Sequence, residues 1–168
     1  MRIQAFACIV TMAAFAAVPE MATAGLREEQ PNQVTIEVAG RSPSLGAGLA
    51  YEHWFNDFVG VGAGLSAGLT CIECSSSQAS FLYVPVYVSL AVPLGRNHGV
   101  SLSAGATFPL GAKERDRVVP SLGAGYQLLA GGFVLRPSFL LLFGPRYGDS
   151  GRQTDVMPWF GLQVGWGF

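Results

Sequence analysis

The chain has 168 residues and a mass of 17.7 kDa, which is the size of a single domain. Hydrophobic residues make up 50% of the sequence and charged residues only 12%, against roughly 25% charged residues in an average soluble domain. The net charge of -1 excludes the basic field that nucleic-acid binding requires, and the apolar content excludes a disordered chain. A mean hydropathy of +0.37 indicates a membrane protein, but 22 glycines and 10 prolines are unfavourable in membrane helices and favour a small β-barrel.

Residues 1–24 have the pattern of a cleaved secretory signal peptide. Arg2 supplies the positive charge, a mostly apolar stretch follows it, and Ala22-Thr23-Ala24 supplies the small residues of a cleavage site. A single membrane anchor is the alternative, but the stretch is short for a spanning helix and no stop-transfer pattern follows. We therefore expect the mature chain to begin at Gly25, with residues 25–32 forming a short periplasmic segment.

Hydrophobic side chains then recur at every second position, which is typical of β-strands. Two long uncharged stretches, 75–95 and 118–135, contain prolines or glycines and show the same alternation, so we do not predict membrane helices there. The last segment has the clearest pattern, with one face formed by Phe160, Leu162, Val164, Trp166 and Phe168. Eight strands are predicted in this way, at residues 34–40, 45–55, 59–69, 82–92, 100–108, 120–128, 133–143 and 159–168.

Most of these strands have the roughly 9–11 residues that a tilted strand needs to cross a bilayer. Backbone groups in lipid must all be hydrogen-bonded, so the sheet is expected to close on itself. The predicted fold is therefore all-β, an eight-stranded antiparallel transmembrane β-barrel of the outer-membrane type over residues 33–168.

The predicted connections alternate between short turns and longer polar loops, as they do in bacterial outer-membrane barrels. The longer loops, at residues 70–79, 111–117 and 144–155, are expected to face the cell exterior. The first outer connection, from Arg41 to Ser44, is a short exception. Because the longer loops are placed outside the cell and the strands alternate in direction, both chain termini are predicted to be periplasmic.

The inner face of the predicted barrel is mostly small, with a few large polar groups. Counted from the periplasmic ends of their strands, Glu37, Glu52, Gln127 and Arg136 lie at similar heights and predict one buried polar cluster. Arg136 is expected to bridge one or both carboxylates because buried charges must be paired. One carboxylate is then in excess, so a proton or a tyrosine hydroxyl must compensate it. The cluster is interpreted as a structural plug, with a gate or a proton-linked site as the alternative.

Pro85 and Pro137 fall in the middle of predicted strands, where each removes a backbone donor, so bulges are expected there. In the second outer loop, Cys71 and Cys74 are interpreted as a disulfide in an oxidising compartment. They form only half of a zinc site, and His53 and His98 are expected near the opposite end of the barrel. We therefore predict no metal and no cofactor.

The sequence resembles the small outer-membrane β-barrel proteins of the OmpA-transmembrane-domain and OmpX type. The resemblance rests on Leu49-Ala50-Tyr51-Glu52-His53-Trp54-Phe55, on Ser103-Ala104-Gly105-Ala106-Thr107, on Gly125-Tyr126-Gln127 and on the segment from Pro158 to Phe168. It implies that Val164, Trp166 and Phe168 form the signal that the outer-membrane barrel assembly machinery reads. The lipid A deacylases among eight-stranded barrels carry a His-x-Ser pair, which is absent here, so no enzymatic activity is expected.

These observations predict a monomeric, closed barrel in the bacterial outer membrane with a structural or surface-recognition role. Its expected partners are outer-membrane lipid, the assembly machinery and an unknown extracellular ligand bound by the longer loops. A minor porin-like channel and a lipid-modifying enzyme are alternatives. A soluble, lipocalin-like barrel is a further alternative, in which the large apolar residues would face inward.

Overall fold

A computed structural model of the protein describes residues 29–41, 45–69, 80–95, 97–110, 118–145 and 154–168. The predicted signal peptide, the Cys71–Cys74 pair and the predicted loops 70–79 and 111–117 lie outside these residues. Within the described ranges, no helix is long and apolar enough to cross a membrane.

The structure contains the eight predicted strands, each antiparallel to the next, and β8 pairs with β1 to close the barrel. The strands are β1 Asn32–Val38, β2 Leu45–Trp54, β3 Val59–Leu69, β4 Ser80–Pro93, β5 His98–Leu110, β6 Val119–Ala130, β7 Phe133–Pro145 and β8 Thr154–Gly167. Followed through all eight pairings, the register advances by ten residues before it returns to β1. With ordinary strand spacings, this shear tilts the strands by about 40° from the barrel axis.

The predicted loop at 144–155 is too long at both ends. Gly144 pairs with Asp155 and Pro145 pairs with Thr154, so the hairpin between β7 and β8 continues into the segment predicted as a loop. Glycine, proline and aspartate are uncommon in strands, which is why the composition indicated a loop there. Ladder pairing with the neighbouring strand outweighs that local preference.

The two faces of the barrel differ as the alternation predicts. On β8, Phe160 is 73% exposed and Trp166 is 56% exposed, whereas Gln163 between them is 3% exposed. Large apolar side chains on the other strands are also exposed, among them Ile36, Leu49, Leu65, Val88, Leu102 and Leu122. The lipocalin-like alternative is therefore wrong, because it requires these side chains to fill the interior.

The short connections lie at the end of the barrel where β1 begins and β8 ends, which we call the terminal end. Asn32 and Phe168 exchange backbone hydrogen bonds of 3.1 and 2.8 Å there. Gly131 and Gly132 alone connect β6 to β7, and their φ angles of 56° and 94° suit a type I′ hairpin turn. The opposite end, which we call the loop end, carries the β1–β2, β3–β4, β5–β6 and β7–β8 connections.

The prediction of bulges at the two mid-strand prolines is wrong. Around Pro85, the pairing of β4 with β3 lapses for two positions and resumes in the same register, and the pairing with β5 is continuous. Pro137 likewise interrupts only the pairing with β6, while the pairing with β8 is continuous. A proline lacks a single donor toward one neighbour, so a local gap suffices and no extra residue is inserted.

Candidate functional site

The interior near the terminal end holds a buried ion pair between Glu52 on β2 and Arg136 on β7. The Arg136 guanidinium donates to both carboxylate oxygens, with Nη1 3.2 Å from Oε1 and Nη2 2.6 Å from Oε2. Ser89 Oγ and Trp54 Nε1 also donate to this carboxylate, at 2.6 and 3.2 Å. The negative charge of Glu52 therefore has four donors, which is the arrangement that makes a buried charge tolerable.

Amide side chains extend this arrangement across the barrel. Arg136 Nη2 also donates to Gln33 Oε1 at 3.2 Å, and Gln127 Nε2 lies 3.4 Å from the same oxygen. The Arg136 guanidinium carbon is 5.9 Å from the centre of the Trp54 ring. We call these residues, which come from β1, β2, β4, β6 and β7, the Glu52–Arg136 network: Gln33, Glu52, Trp54, Ser89, Gln127 and Arg136.

Glu37 does not join this network, in contrast to the predicted single cluster. Its carboxylate binds Arg41, with Nη1 2.9 Å from Oε1, and also accepts a hydrogen bond from Gln163 Nε2. The Arg41 guanidinium carbon lies 3.5 Å from the centre of the Tyr87 ring, which is a cation–π contact. The excess carboxylate is thus compensated by a second arginine rather than by a proton or a tyrosine hydroxyl.

Arg41 reaches this position because the chain turns inward after β1. We call residues Ala39–Arg41 the inner segment. Ala39 has a φ of 48°, a left-handed conformation that costs an alanine about 1–2 kcal/mol. Its carbonyl accepts a hydrogen bond from Trp159 Nε1 at 2.9 Å, and the Arg41 carbonyl accepts one from Thr107 Oγ1 at 2.8 Å. Arg41, at the start of the connection predicted from Arg41 to Ser44, is therefore directed into the barrel interior and is 5% exposed.

Toward the loop end, the side of the interior next to β6 and β7 contains buried apolar side chains. Val119, Leu140 and Leu142 form a buried cluster contributed by β6 and β7, which we call the apolar layer. Met157 and Trp159 of β8 pack against it. The interior is consequently filled by the Glu52–Arg136 network, the Glu37–Arg41 pair and the apolar layer, as expected for a barrel of eight strands.

Glycines on two strands make room for the Tyr87 ring. A Cβ at Gly62 of β3 would overlap the Tyr87 ring, and a Cβ at Gly105 of β5 would lie 2.7 Å from Tyr87 Cβ. Real side chains do not approach so closely, so these positions accept only glycine while Tyr87 remains in place. The alternation of glycine with apolar residues therefore shapes the pocket in which Arg41 is held.

Both histidines lie at the terminal end, as predicted. His53 Nδ1 is 3.0 Å from Asn32 Oδ1, which also accepts a hydrogen bond from the Tyr51 hydroxyl at 2.6 Å. His98 lies near Tyr126, with ring centres 6.0 Å apart. In the part of the chain that the structure describes, no three His, Cys, Asp or Glu side chains are grouped to hold a metal ion.

The three residues of the predicted assembly signal alternate along the end of the chain. Trp166 and Phe168 are 56% and 59% exposed, and Val164 is partly exposed on the same face. The Trp166 indole packs over Gly132, where a Cβ would lie 2.7 Å from Trp166 Cε2. The outward face of this segment is thus apolar and accessible.

Sequence reasoning missed Gln33, Ser89 and Arg41 as members of the interior polar groups. Gln33 lies two and four positions before the inward-facing Thr35 and Glu37, so the alternation could have identified it. Ser89 follows the same rule on β4, where it lies two positions after the inward-facing Tyr87. Arg41 lies beyond the end of a strand, so the alternation of side chains could not identify it. The excess of one carboxylate over the cations of the inner face was the feature of the sequence that indicated a further cation.

Comparison with solved structures shows one similar fold. The chain is similar to the outer membrane protein Ail of Yersinia pestis, determined in a phospholipid bilayer nanodisc, with a TM-score of 0.52 and 16% sequence identity. The match covers 83% of this chain and 99% of that chain. No protein-family model and no curated protein sequence matches the chain. The shared fold confirms the predicted fold class, a small eight-stranded barrel of the outer-membrane type.

Proposed function

We propose that the protein is an integral outer-membrane protein with its termini and short turns in the periplasm and its longer connections outside the cell. Three observations support this: the closed sheet, the apolar outer face, and the distribution of short turns at the terminal end. The protein of similar fold is itself an outer membrane protein. Outer-membrane barrels have short periplasmic turns and longer extracellular loops, which gives the proposed orientation.

The location is tested by electrophoresis of the outer-membrane fraction with and without boiling. A folded barrel resists SDS until it is heated, so we expect two mobilities for the unboiled and boiled samples. Recovery of the protein in the soluble periplasmic fraction, with a single mobility, would contradict the proposal.

The orientation is tested by thiol labelling of intact cells with a membrane-impermeant maleimide. In a background with Cys71→Ser and Cys74→Ser, Asn97→Cys introduces a thiol at an exposed residue of the β4–β5 turn, and Ser150→Cys introduces one in the β7–β8 connection. We expect labelling of Ser150→Cys in intact cells and of Asn97→Cys only after the outer membrane is permeabilised. The reverse pattern would contradict the orientation.

We further propose that the barrel does not conduct solutes and acts through its outer surface and loops, in a structural or surface-recognition role. This proposal rests on the filled interior. From the terminal end to the loop end, the interior contains the Glu52–Arg136 pair, the Glu37–Arg41 pair and the apolar layer. Planar-bilayer recordings of the refolded protein are expected to show no steady conductance. Stable openings would favour the minor-channel alternative.

The recognition role is tested by replacing residues 146–153 with a Gly-Ser linker of equal length. Cells that display the wild-type protein are compared with cells that display the variant for retention on arrays of purified glycans and proteins. Loss of retention with unchanged heat-dependent mobility supports recognition through the loops, while retention of neither protein favours the structural role.

We also propose that the protein is not a lipid-modifying hydrolase, because the His-x-Ser pair is absent. Unchanged lipid A masses in cells that express the protein would agree with this proposal.

We propose that the outward-facing Val164, Trp166 and Phe168 contact the barrel assembly machinery during insertion. Their alternation on one exposed apolar face supports this. Trp166→Ser is expected to slow insertion in cells more than spontaneous refolding into lipid vesicles, since only the former uses the machinery.

A further inference from the structure

The two buried arginines differ in how they are anchored. Arg136 lies within β7, pairs with β8 through Gln163, and binds both oxygens of the Glu52 carboxylate. Arg41 lies beyond the last paired residue of β1, and its guanidinium donates to a single oxygen of Glu37. The backbone of Arg136 therefore cannot move away from Glu52 without disrupting the sheet, whereas that of Arg41 can move when the inner segment alone changes conformation.

We propose that Glu37, Tyr87 and Gln163 form a binding site for an external guanidinium or primary-amine cation, and that Arg41 occupies this site in the closed structure. The site supplies a carboxylate, an aromatic face and an amide around one guanidinium, the three kinds of group that bind such cations. The proposal goes beyond the proposed function and does not depend on which surface partner the loops contact.

The site has more hydrogen-bonding capacity than Arg41 uses. Within the residues that the structure describes, the Tyr87 hydroxyl and the Gln163 Oε1 atom are buried without a hydrogen-bond partner. Both side chains are at least nine-tenths buried and contact the Glu37–Arg41 pair directly. Because both oxygens accept hydrogen bonds, an untethered cation whose N–H groups reach them would satisfy atoms that the closed structure leaves unpaired.

The inner segment is held in a manner that permits exchange. Ala39 is in a left-handed conformation, which is strained for an alanine, so a change in the conformation of the segment would relieve that strain. Two side chains tie the segment to the barrel wall, Thr107 through the Arg41 carbonyl and Trp159 through the Ala39 carbonyl. The segment lies toward the loop end and follows β1, whereas the apolar layer comes from β6 and β7, so an external cation would enter from that end at the position of the segment when these two hydrogen bonds break.

The chemical class follows from the site. A planar guanidinium can donate several N–H groups at once and stack on the Tyr87 ring, which a hydrated metal cation cannot do. Agmatine carries a guanidinium and a primary amine and is small enough to serve as the probe. Tetramethylammonium is the matched control, because it is cationic and binds aromatic faces but has no N–H donor.

The experiment uses the full barrel in phospholipid nanodiscs and follows the three tryptophan indole N–H signals by NMR. Agmatine is expected to shift the Trp159 signal saturably at millimolar concentrations, because Trp159 loses its hydrogen bond to Ala39 when Arg41 is displaced. The Trp166 signal, on the outer face at the terminal end, is expected to stay in place. Absence of a saturable Trp159 shift would overturn the proposal, and an equal response to tetramethylammonium would overturn the ligand class.

Thr107→Val is the variant that keeps every charge of the site and removes one tie of the inner segment. Loss of one such hydrogen bond is expected to increase the apparent affinity for agmatine about fivefold. Arg41→Ala removes the internal occupant, and agmatine is expected to raise its melting temperature toward that of the wild type. Glu37→Gln combined with Arg41→Ala is expected to abolish this rescue.

Should Arg41→Ala fail to fold, the wild type and Thr107→Val still decide the matter, since both retain the ion pair. An affinity that Thr107→Val does not change would overturn the proposed displacement of the inner segment. Failure of agmatine binding with normal heat-dependent mobility in the outer membrane would reject this site while leaving the proposed function intact.

Discussion

Replacement of Arg136 by methionine is expected to destabilise the barrel by about 3–5 kcal/mol, because it leaves Glu52 buried without its cation. The substitution removes two charge-assisted hydrogen bonds to Glu52 and one hydrogen bond to Gln33. Charge-assisted bonds contribute about 1.5–3 kcal/mol each. The expected loss lies below the upper sum of these values because Ser89 and Trp54 still donate to the carboxylate.

The double variant Glu52→Gln with Arg136→Met should be less destabilised than Arg136→Met alone, by about 2 kcal/mol or more. It removes both charges, so no unpaired ion remains in the interior. The new amide retains an oxygen for the Ser89 and Trp54 donors, and its NH2 group can donate to the Gln33 oxygen that Arg136 vacates. This reversal of order distinguishes a buried ion pair from two independent side chains.

The assay is urea unfolding of the refolded protein in phospholipid vesicles, with the folded fraction measured by mobility on unboiled gels. Ser138→Ala is the matched control, since it alters a neighbouring inward position of β7 and removes a single neutral hydrogen bond to the Gly161 carbonyl, at 3.3 Å. It should cost about 1 kcal/mol. Free energies for the two single substitutions that add up to that of the double variant, or a loss of less than about 1 kcal/mol for Arg136→Met, would refute the reasoning.

Three further predictions concern packing and closure. Gly62→Ala places a methyl group in the Tyr87 ring and should cost about 1–3 kcal/mol in vesicle unfolding. Gly132→Ala combines a φ of 94° with a clash against Trp166 and should slow refolding as well as lower stability, measured by the rate at which the heat-sensitive band appears. Arg136→Ala should remain non-conducting in planar bilayers, because the Glu37–Arg41 pair and the apolar layer still fill the interior toward the loop end.

Gly131→Ala is the control for the turn substitution. Its φ is 56°, but a Cβ there would meet no atom within 4 Å, so it reports backbone strain without the clash. We expect it to cost about 1 kcal/mol. If Gly132→Ala is no worse than Gly131→Ala, the packing of the Trp166 indole on the turn contributes nothing to stability.

The number of strands and their inward and outward faces were predictable from the sequence because side-chain direction in a strand alternates strictly. A lipid-facing surface requires large apolar residues at one set of positions, and a narrow interior requires small or polar residues at the other. Strand ends were less predictable. Gly144 and Asp155 belong to paired strands although their residue types are typical of loops.

The pairing of the buried charges was not predictable by counting residues from the strand ends. The register advances by ten residues over eight strands, so each neighbour is displaced along the axis by more than one residue. Positions with equal counts from the periplasmic end therefore lie at different heights. This displacement leaves Glu52 opposite Arg136 and separates Glu37 from both.

The position of Arg41 follows from charge balance rather than from any strand pattern. An inner face with Glu37, Glu52 and Arg136 contains one carboxylate too many, and a buried carboxylate requires a partner. The partner had to come from a residue outside the alternating segments, and Arg41, four residues after Glu37, was the nearest cation along the chain. Because the compensating charge lies on a connection rather than on a strand, closure of this part of the interior depends on the hydrogen bonds that hold the inner segment, from Thr107 and Trp159 and between the Ala39 N–H and the Gly46 carbonyl. The same fact makes this half of the interior the part of the barrel that can exchange its occupant without loss of the sheet.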